Sequence, residues 1–123
     1  MATFTAMTLS AATNGAPIRV AAIASSGTTI HTATTSDMPE GCDEVWLWAG
    51  NIGATAVNGS LYISSDGTGN KSINFRAPAA FNGPIPILAG HRLCDGVVIT
   101  ATASVADVVL IWGNVNRISG QGS

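Results

Sequence analysis

The chain has 123 residues, a formal net charge of −2 from five basic and seven acidic side chains, and only 10% charged residues, against roughly 25% in an ordinary soluble domain. The basic residues are scattered singly, which argues against the cationic stripe that releases counterions from DNA or RNA, and no apolar run approaches the roughly 20 residues of a membrane-spanning helix. A domain this small has a large surface for its volume, so it must clothe that surface with Thr, Ser, Ala, Asn, Gly and aliphatic groups, the kind of surface an assembly covers.

Met1-Ala2-Thr3-Phe4-Thr5-Ala6-Met7 lacks the basic start and continuous apolar stretch of a secretory signal, and reads as a short N-terminal arm of a protein made in the cytosol. From there on, β-branched residues in short runs alternate with Gly, Asn, Asp or Pro, the pattern of an all-β chain. Strands are predicted near Pro17 to Ala24, Thr28 to Thr34, Glu44 to Asn51, Val57 to Ser64, Ser72 to Ala77, Ile85 to Ala89, Val97 to Ala103 and Asp107 to Arg117. They imply one antiparallel β-sandwich over residues 1–123, of jelly-roll or immunoglobulin-like type with about eight strands and a flexible C-terminal tail.

Asn14-Gly15, Ser26-Gly27, Asn58-Gly59, Asp66-Gly67, Asn82-Gly83 and Asp95-Gly96 supply turn residues that tolerate positive φ. Asn58-Gly59 interrupts a strand and so marks either a start at Ser60 or a bulge. Pro78, Pro84 and Pro86 surround Phe81, and because proline cannot donate a ladder hydrogen bond, that stretch is a loop or an edge strand. Asn58-Gly59-Ser60 and Asn70-Lys71-Ser72 match the glycosylation pattern in form, but without secretion they are turn residues.

Strand alternation places Val45, Leu47 and Ala49 on one face and Trp46 and Trp48 on the other; Val108 to Trp112 repeats this two-faced apolar pattern. Such strands are central to a sandwich or covered by another subunit. Thr28 to Thr35 carries one inward aliphatic residue, Ile30, and reads as a lightly contacted outer strand.

Few residues offer chemistry. His31, His91, Cys42 and Cys94 contain one local pair, His91 and Cys94, where structural zinc sites present two close pairs. In a reducing compartment the two cysteines read as small buried hydrophobes. Asp37, Glu40, Asp43 and Glu44 fit neither a calcium loop nor a paired-carboxylate template, so they read as a solvated loop. No Gly-x-Ser-x-Gly elbow and no Gly-Lys-Ser/Thr phosphate loop is present. The expectation is a non-enzyme with no catalytic, cofactor or metal site. Trp46, Trp48, Tyr62 and Trp112 are candidates for packing or intersubunit contact, with stacking on a sugar as the alternative, since aromatic faces also stack on apolar sugar faces.

The segment Gly41-Cys42-Asp43-Glu44-Val45-Trp46-Leu47-Trp48-Ala49-Gly50-Asn51 followed by Ala54-Thr55-Ala56 resembles the central stretch of short tailed-bacteriophage virion proteins. Ala24 to Ala33 and Ala101 to Ile118 fit the same pattern. The resemblance implies a capsid decoration, or cement, protein: a homo-oligomer, typically a trimer, that binds the major capsid protein on the outer shell of the virion, with no nucleic-acid or membrane partner. A tail, neck or fibre component is the alternative within that class, and a carbohydrate-binding β-sandwich module lies outside it. No catalytic residue is carried over with the resemblance.

Overall fold

The computed structural model describes residues 3–23, 27–34, 41–64, 72–79, 84–94 and 96–119. Among the described residues nine strands form: β1 Thr3–Met7, β2 Ile18–Arg19, β3 Thr28–Thr32, β4 Cys42–Asn51, β5 Val57–Ser64, β6 Ser72–Ala77, β7 Ile85–Cys94, β8 Val98–Ala103 and β9 Val109–Ser119. They build two antiparallel sheets, one ordered β1-β9-β4-β7 with β2 also on β9, the other ordered β3-β8-β5-β6. Successive strands from β2 onward therefore change sheet at every step except the β5–β6 hairpin. This is jelly-roll order, and not the four-plus-three arrangement of an immunoglobulin domain.

The core lies between the sheets. Val45, Leu47 and Ala49 of β4 and Val109, Ile111 and Val115 of β9 face Ile30, Leu61, Ile99 and Ala101 of the opposing sheet, all fully or almost fully buried. The two-faced strands β4 and β9 are the central pair of their sheet, joined over ten residue pairs from Cys42↔Ile118 to Asn51↔Val109.

Several boundaries depart from the sequence pattern for local reasons. The expected arm is strand β1, paired from Thr3↔Ser119 to Met7↔Val115. The strand expected over 17–24 is paired as a strand at Ile18–Arg19: Pro17 has no N–H to extend the ladder at its start, Asn14 and Gly15 turn the chain ahead of it with φ of 54° and 80°, and past Val20 the chain leaves β9, the Ala22 carbonyl accepting from the Ala103 N–H. The strand expected to stop at Ala89 continues to Cys94 because Gly90, at φ 71°, sits where the register slips between Val45/His91 and Trp46/Ala89, a bulge that bends the strand without ending it. At Asn58-Gly59 neither expected alternative occurs. The ladder runs unbroken through Asn58↔Arg76 and Gly59↔Phe75, and Gly59 lacks a side chain because the Phe75 ring occupies that space. Pro86 lies in β7, an edge of its sheet, as proline requires. The turn glycines Gly67 and Gly83 and the acidic residues Asp37 and Glu40 lie outside the described residues.

Cys42 and Cys94 are not two separate thiols. They are cross-strand partners at one end of the β4–β7 ladder, with Cα atoms 4.2 Å apart, and they form a disulfide. Register brings the two sulfurs within bonding reach, because directly opposed residues of antiparallel strands approach to about 4.5 Å at non-hydrogen-bonded pairs. The bridge closes a loop between residues 52 apart in sequence, which contributes about 2–4 kcal/mol. A reducing agent is thus expected to lower the thermal midpoint, with the Cys42→Ser and Cys94→Ser double variant matching the reduced protein and insensitive to reductant. Equal midpoints with and without reductant would contradict the bridge.

Candidate functional site

The residues singled out by sequence separate into an outer sheet face and a buried cluster, with Tyr62 on the other sheet, and a third region emerges at one end of the sandwich. The first is the outer face of the β1-β9-β4-β7 sheet. Trp46 and Trp48 project from β4 on the side opposite Val45 and Leu47, and all three tryptophans, Trp112 included, are half-buried. Trp48 stands directly across from Trp112, Trp46 across from Asn114, and Glu44 across from Asn116. Beside them on β7, Pro86 opposes Trp48 and Arg92 opposes Glu44, with an Arg92 Nη2–Glu44 Oε2 pair of 3.3 Å. Gly90 brings its backbone against the indole of Trp46, where a Cβ would lie 3.3 Å from Cζ2. Trp48, Pro84, Trp112, Gly113 and Asn114 line an open cleft of about 450 Å³.

Tyr62 does not join the tryptophans. It lies on β5 in the other sheet, where its hydroxyl is 3.5 Å from Thr102 Oγ1. Neighbouring polar groups there serve one another, Ser60 Oγ donating to Asn74 Oδ1 at 2.8 Å and Arg76 to Asn58 Oδ1 at 3.0 Å.

The second constellation is buried. His31, expected on a mostly solvated strand, is 1% exposed. A register slip between Thr29 and His31 in the β3–β8 ladder turns Ile30 and His31 inward in succession, which regular alternation forbids. Asp43, expected in a solvated acidic loop, is wholly buried. It accepts hydrogen bonds from Arg117 Nε at 2.8 Å and Nη2 at 3.0 Å, and lies 2.7 Å from His31 Nε2. The Ser10 N–H donates to His31 Nδ1 at 3.0 Å, so the ring proton resides on Nε2 and is donated to Asp43 Oδ2. Burial pushes the Asp43 carboxyl up, but the hydrogen bonds from Arg117 and His31, together with the Arg117 charge, outweigh it and hold the group below its ordinary 3.8. The same contact raises Arg117. Both ring nitrogens of His31 are consumed internally, so this carboxylate–imidazole pair has no nitrogen left for a substrate. It ties β3 of one sheet to β4 and β9 of the other.

The sulfurs of Cys42 and Cys94 are bound to each other, which removes both from the soft-metal set; His91 is exposed on β7, and among the described residues no three His, Cys, Asp or Glu side chains converge.

The third surface is one end of the sandwich, where four sheet-crossing connections meet. The pairings Asn51↔Val109, Gly59↔Ala103, Val57↔Ala77 and Ala49↔Ile85 all lie at this end. Hydrogen bonds from Ala103 N to Ala22 O, Asp107 N to Val20 O and Ile52 N to Val108 O lace the connections together. Ile23, Ile52 and Val105 protrude here, at 67%, 49% and 46% exposure, among exposed Ala21, Ala54 and Ala106, with Asp107 the charged residue in these described connections. Three of the four exposed large aliphatic residues of the described chain thus share one end; the fourth, Ile73, is on β6. The signal lay in Val20-Ala-Ala-Ile23, Ile52-Gly-Ala-Thr-Ala56 and Val105-Ala106, loops richer in apolar residues than loops normally are. Only the topology shows that they converge. Comparison with known proteins finds no matching family model, no matching curated protein and no matching solved structure.

Proposed function

We propose that this chain is an adhesive structural subunit of a tailed-phage virion, a capsid decoration protein that self-associates, as a trimer, on the outer shell and holds neighbouring capsid subunits together. The observation that carries this reading is the charge-poor aliphatic end built by Ile23, Ile52 and Val105, with Asp107 its one charged side chain among the described connections. A tip of this chemistry on a chain with 10% charged residues favours burial against another protein surface. At about 25 cal/mol per Å², covering about 300 Å² of apolar surface contributes about 7 kcal/mol before association costs, and symmetric repetition multiplies it. The virion assignment itself rests on the sequence resemblance. Jelly rolls also serve capsids and lectins, a likeness of architecture that carries no function by itself.

Two measurements test the reading. In purified particles the chain is expected at a copy number comparable with the major shell protein; a single ring's worth of copies, or co-purification with isolated tails, would replace the decoration role with a neck or tail role. Ile52→Asp and Val105→Asp, each changing an exposed side chain, are expected to abolish self-association in light scattering and binding to shells while leaving the thermal midpoint unchanged. A parent chain that is monomeric at all concentrations and does not bind shells would overturn the proposal.

A further inference from the structure

We infer that the tryptophan face of the β1-β9-β4-β7 sheet is a binding site for a neutral saccharide, seated on the Trp48–Trp112 pair and extending toward Trp46. The inference does not depend on the reading of the apolar end, which uses other residues at the sandwich tip.

Chemistry of the face decides the ligand. A protein-docking surface of the kind found at the tip is aliphatic, yet each exposed large aliphatic side chain of the described residues lies off this face, on the tip or on β6. Beyond half-buried Leu110 at one margin, what the face presents is aromatic rings and proline interleaved with amides: the row Trp48/Trp112, then Trp46/Asn114, then Glu44/Asn116. Same-face residues stand about 6.8 Å apart along a strand and neighbouring strands about 4.8 Å apart, so each indole has hydrogen-bonding groups within one row. A pyranose needs this pairing, with an apolar C–H face for a ring and equatorial hydroxyls for amides and carboxylates at its rim.

Charge and shape narrow it further. Glu44 is matched by Arg92 at 3.3 Å, so the rows from Trp48/Trp112 to Glu44/Asn116 carry no net charge, with Arg19 standing one row beyond them opposite Leu110, and a neutral sugar suits these rows. The cleft of about 450 Å³ beside Trp48, Trp112 and Asn114 falls within the roughly 300–1,000 Å³ of small-ligand sites. Gly113 adds no side chain to that cleft. The platform is rigid, since β4 and β9 pair over ten residues and the Gly90 backbone backs the Trp46 ring; rigid aromatic area is lost to little entropy on binding.

The test is isothermal titration of the full chain with cellohexaose, xylohexaose, laminarihexaose and mannohexaose, with oligogalacturonate and heparin fragments as charged controls. At least one neutral oligosaccharide is expected to saturate with a dissociation constant of about 1 mM or tighter. Trp48→Ala and Trp112→Ala are expected to weaken it by about tenfold or more, which corresponds to one well-made contact. Asn114→Ala, at an exposed position that leaves both rings in place, is expected to weaken it a few-fold with an unchanged thermal midpoint, and it keeps the test decisive if a tryptophan variant fails to fold. Ile52→Asp should bind sugar like the parent, so failure of the assembly reading leaves this result distinct. Absence of saturable binding to all four neutral oligosaccharides, stronger binding to the charged controls, or parental affinity in folded Trp48, Trp112 and Asn114 variants would overturn the inference.

Discussion

Asp43→Ala is expected to destabilise the fold by about 3–5 kcal/mol, the cost of removing one partner from a buried ion pair. The carboxylate is wholly buried and accepts both Arg117 bonds as well as the His31 Nε2–H. Its loss leaves His31, 1% exposed, with a buried unpaired donor, and leaves Arg117 to find water from a guanidinium that is 28% exposed. Asp43→Asn keeps the shape, removes the charge and should fall between the alanine variant and the parent. The same group sets an acid limit. Its folded pKa lies below the ordinary 3.8, so the unfolded chain binds the proton more readily than the folded one. The contribution is therefore complete above the unfolded value of about 3.9 and is lost as pH falls through the lower folded value. Denaturant titrations at descending pH should show the parent losing stability in that acid window and Asp43→Ala losing less. Equal acid sensitivity, or an alanine variant within about 1 kcal/mol of the parent, would show that the network is not the tie between the sheets.

That network was hidden from the sequence for a specific reason. Strand alternation from Glu44 onward was legible and correct, because Val45, Leu47 and Ala49 against Trp46 and Trp48 is a clean period of two, and it placed the core without any knowledge of partners. Ile30 and His31 break that period, and the bulge that turns both inward is fixed by the pairing of β3 with β8, a partner about 70 residues away in the chain. Asp43 and Arg117 are separated by 74 residues; composition cannot show that two scattered charges neutralise each other. The disulfide was missed likewise. Compartment reasoning weighed against it, whereas the β4–β7 register places Cys42 opposite Cys94 whatever the compartment.

The surfaces divide in the same way. The tryptophans were legible as residues on one face, but their cross-strand company, Trp112 with Trp48 and Asn114 with Trp46, depends on the β4–β9 register. Tyr62, a packing or contact candidate of the same aromatic kind, lies on β5 in the other sheet, a placement set by strand pairing and not by residue type. The aliphatic tip was least legible. Its three loops, 20–23, 52–56 and 104–108, are far apart in sequence, and each taken alone is a short connection with one exposed large aliphatic residue; jelly-roll order brings every one of them to the same end.

Gly113→Ala is expected to be the most damaging glycine-to-alanine change among the described residues. Gly113 sits opposite Leu47 in the middle of the β4–β9 ladder. A Cβ there would fall onto the Trp46 carbonyl oxygen, with the Leu47 Cα 3.1 Å away. These are backbone atoms of a paired central strand and cannot rotate aside, so β9 would have to lift from β4 at the centre of the longest pairing in the fold. That movement would unpack Ile111 and Val115 from the core on one side and part Trp112 from Trp48 on the other. The cost is expected to exceed about 4 kcal/mol, the range kept for core overpacking and broken networks, which in a chain of this size lowers the midpoint by about 10–20 °C. Gly59→Ala is the matched control. Its added Cβ meets the ring of Phe75, a half-buried side chain on the edge strand β6 that can swing outward, so the cost is about 1–3 kcal/mol. Thermal melts of the two variants beside the parent would read the difference directly. If the Gly113 variant melted at or above the Gly59 variant, the close approach of β9 to β4 would not be the constraint that fixes glycine at this position.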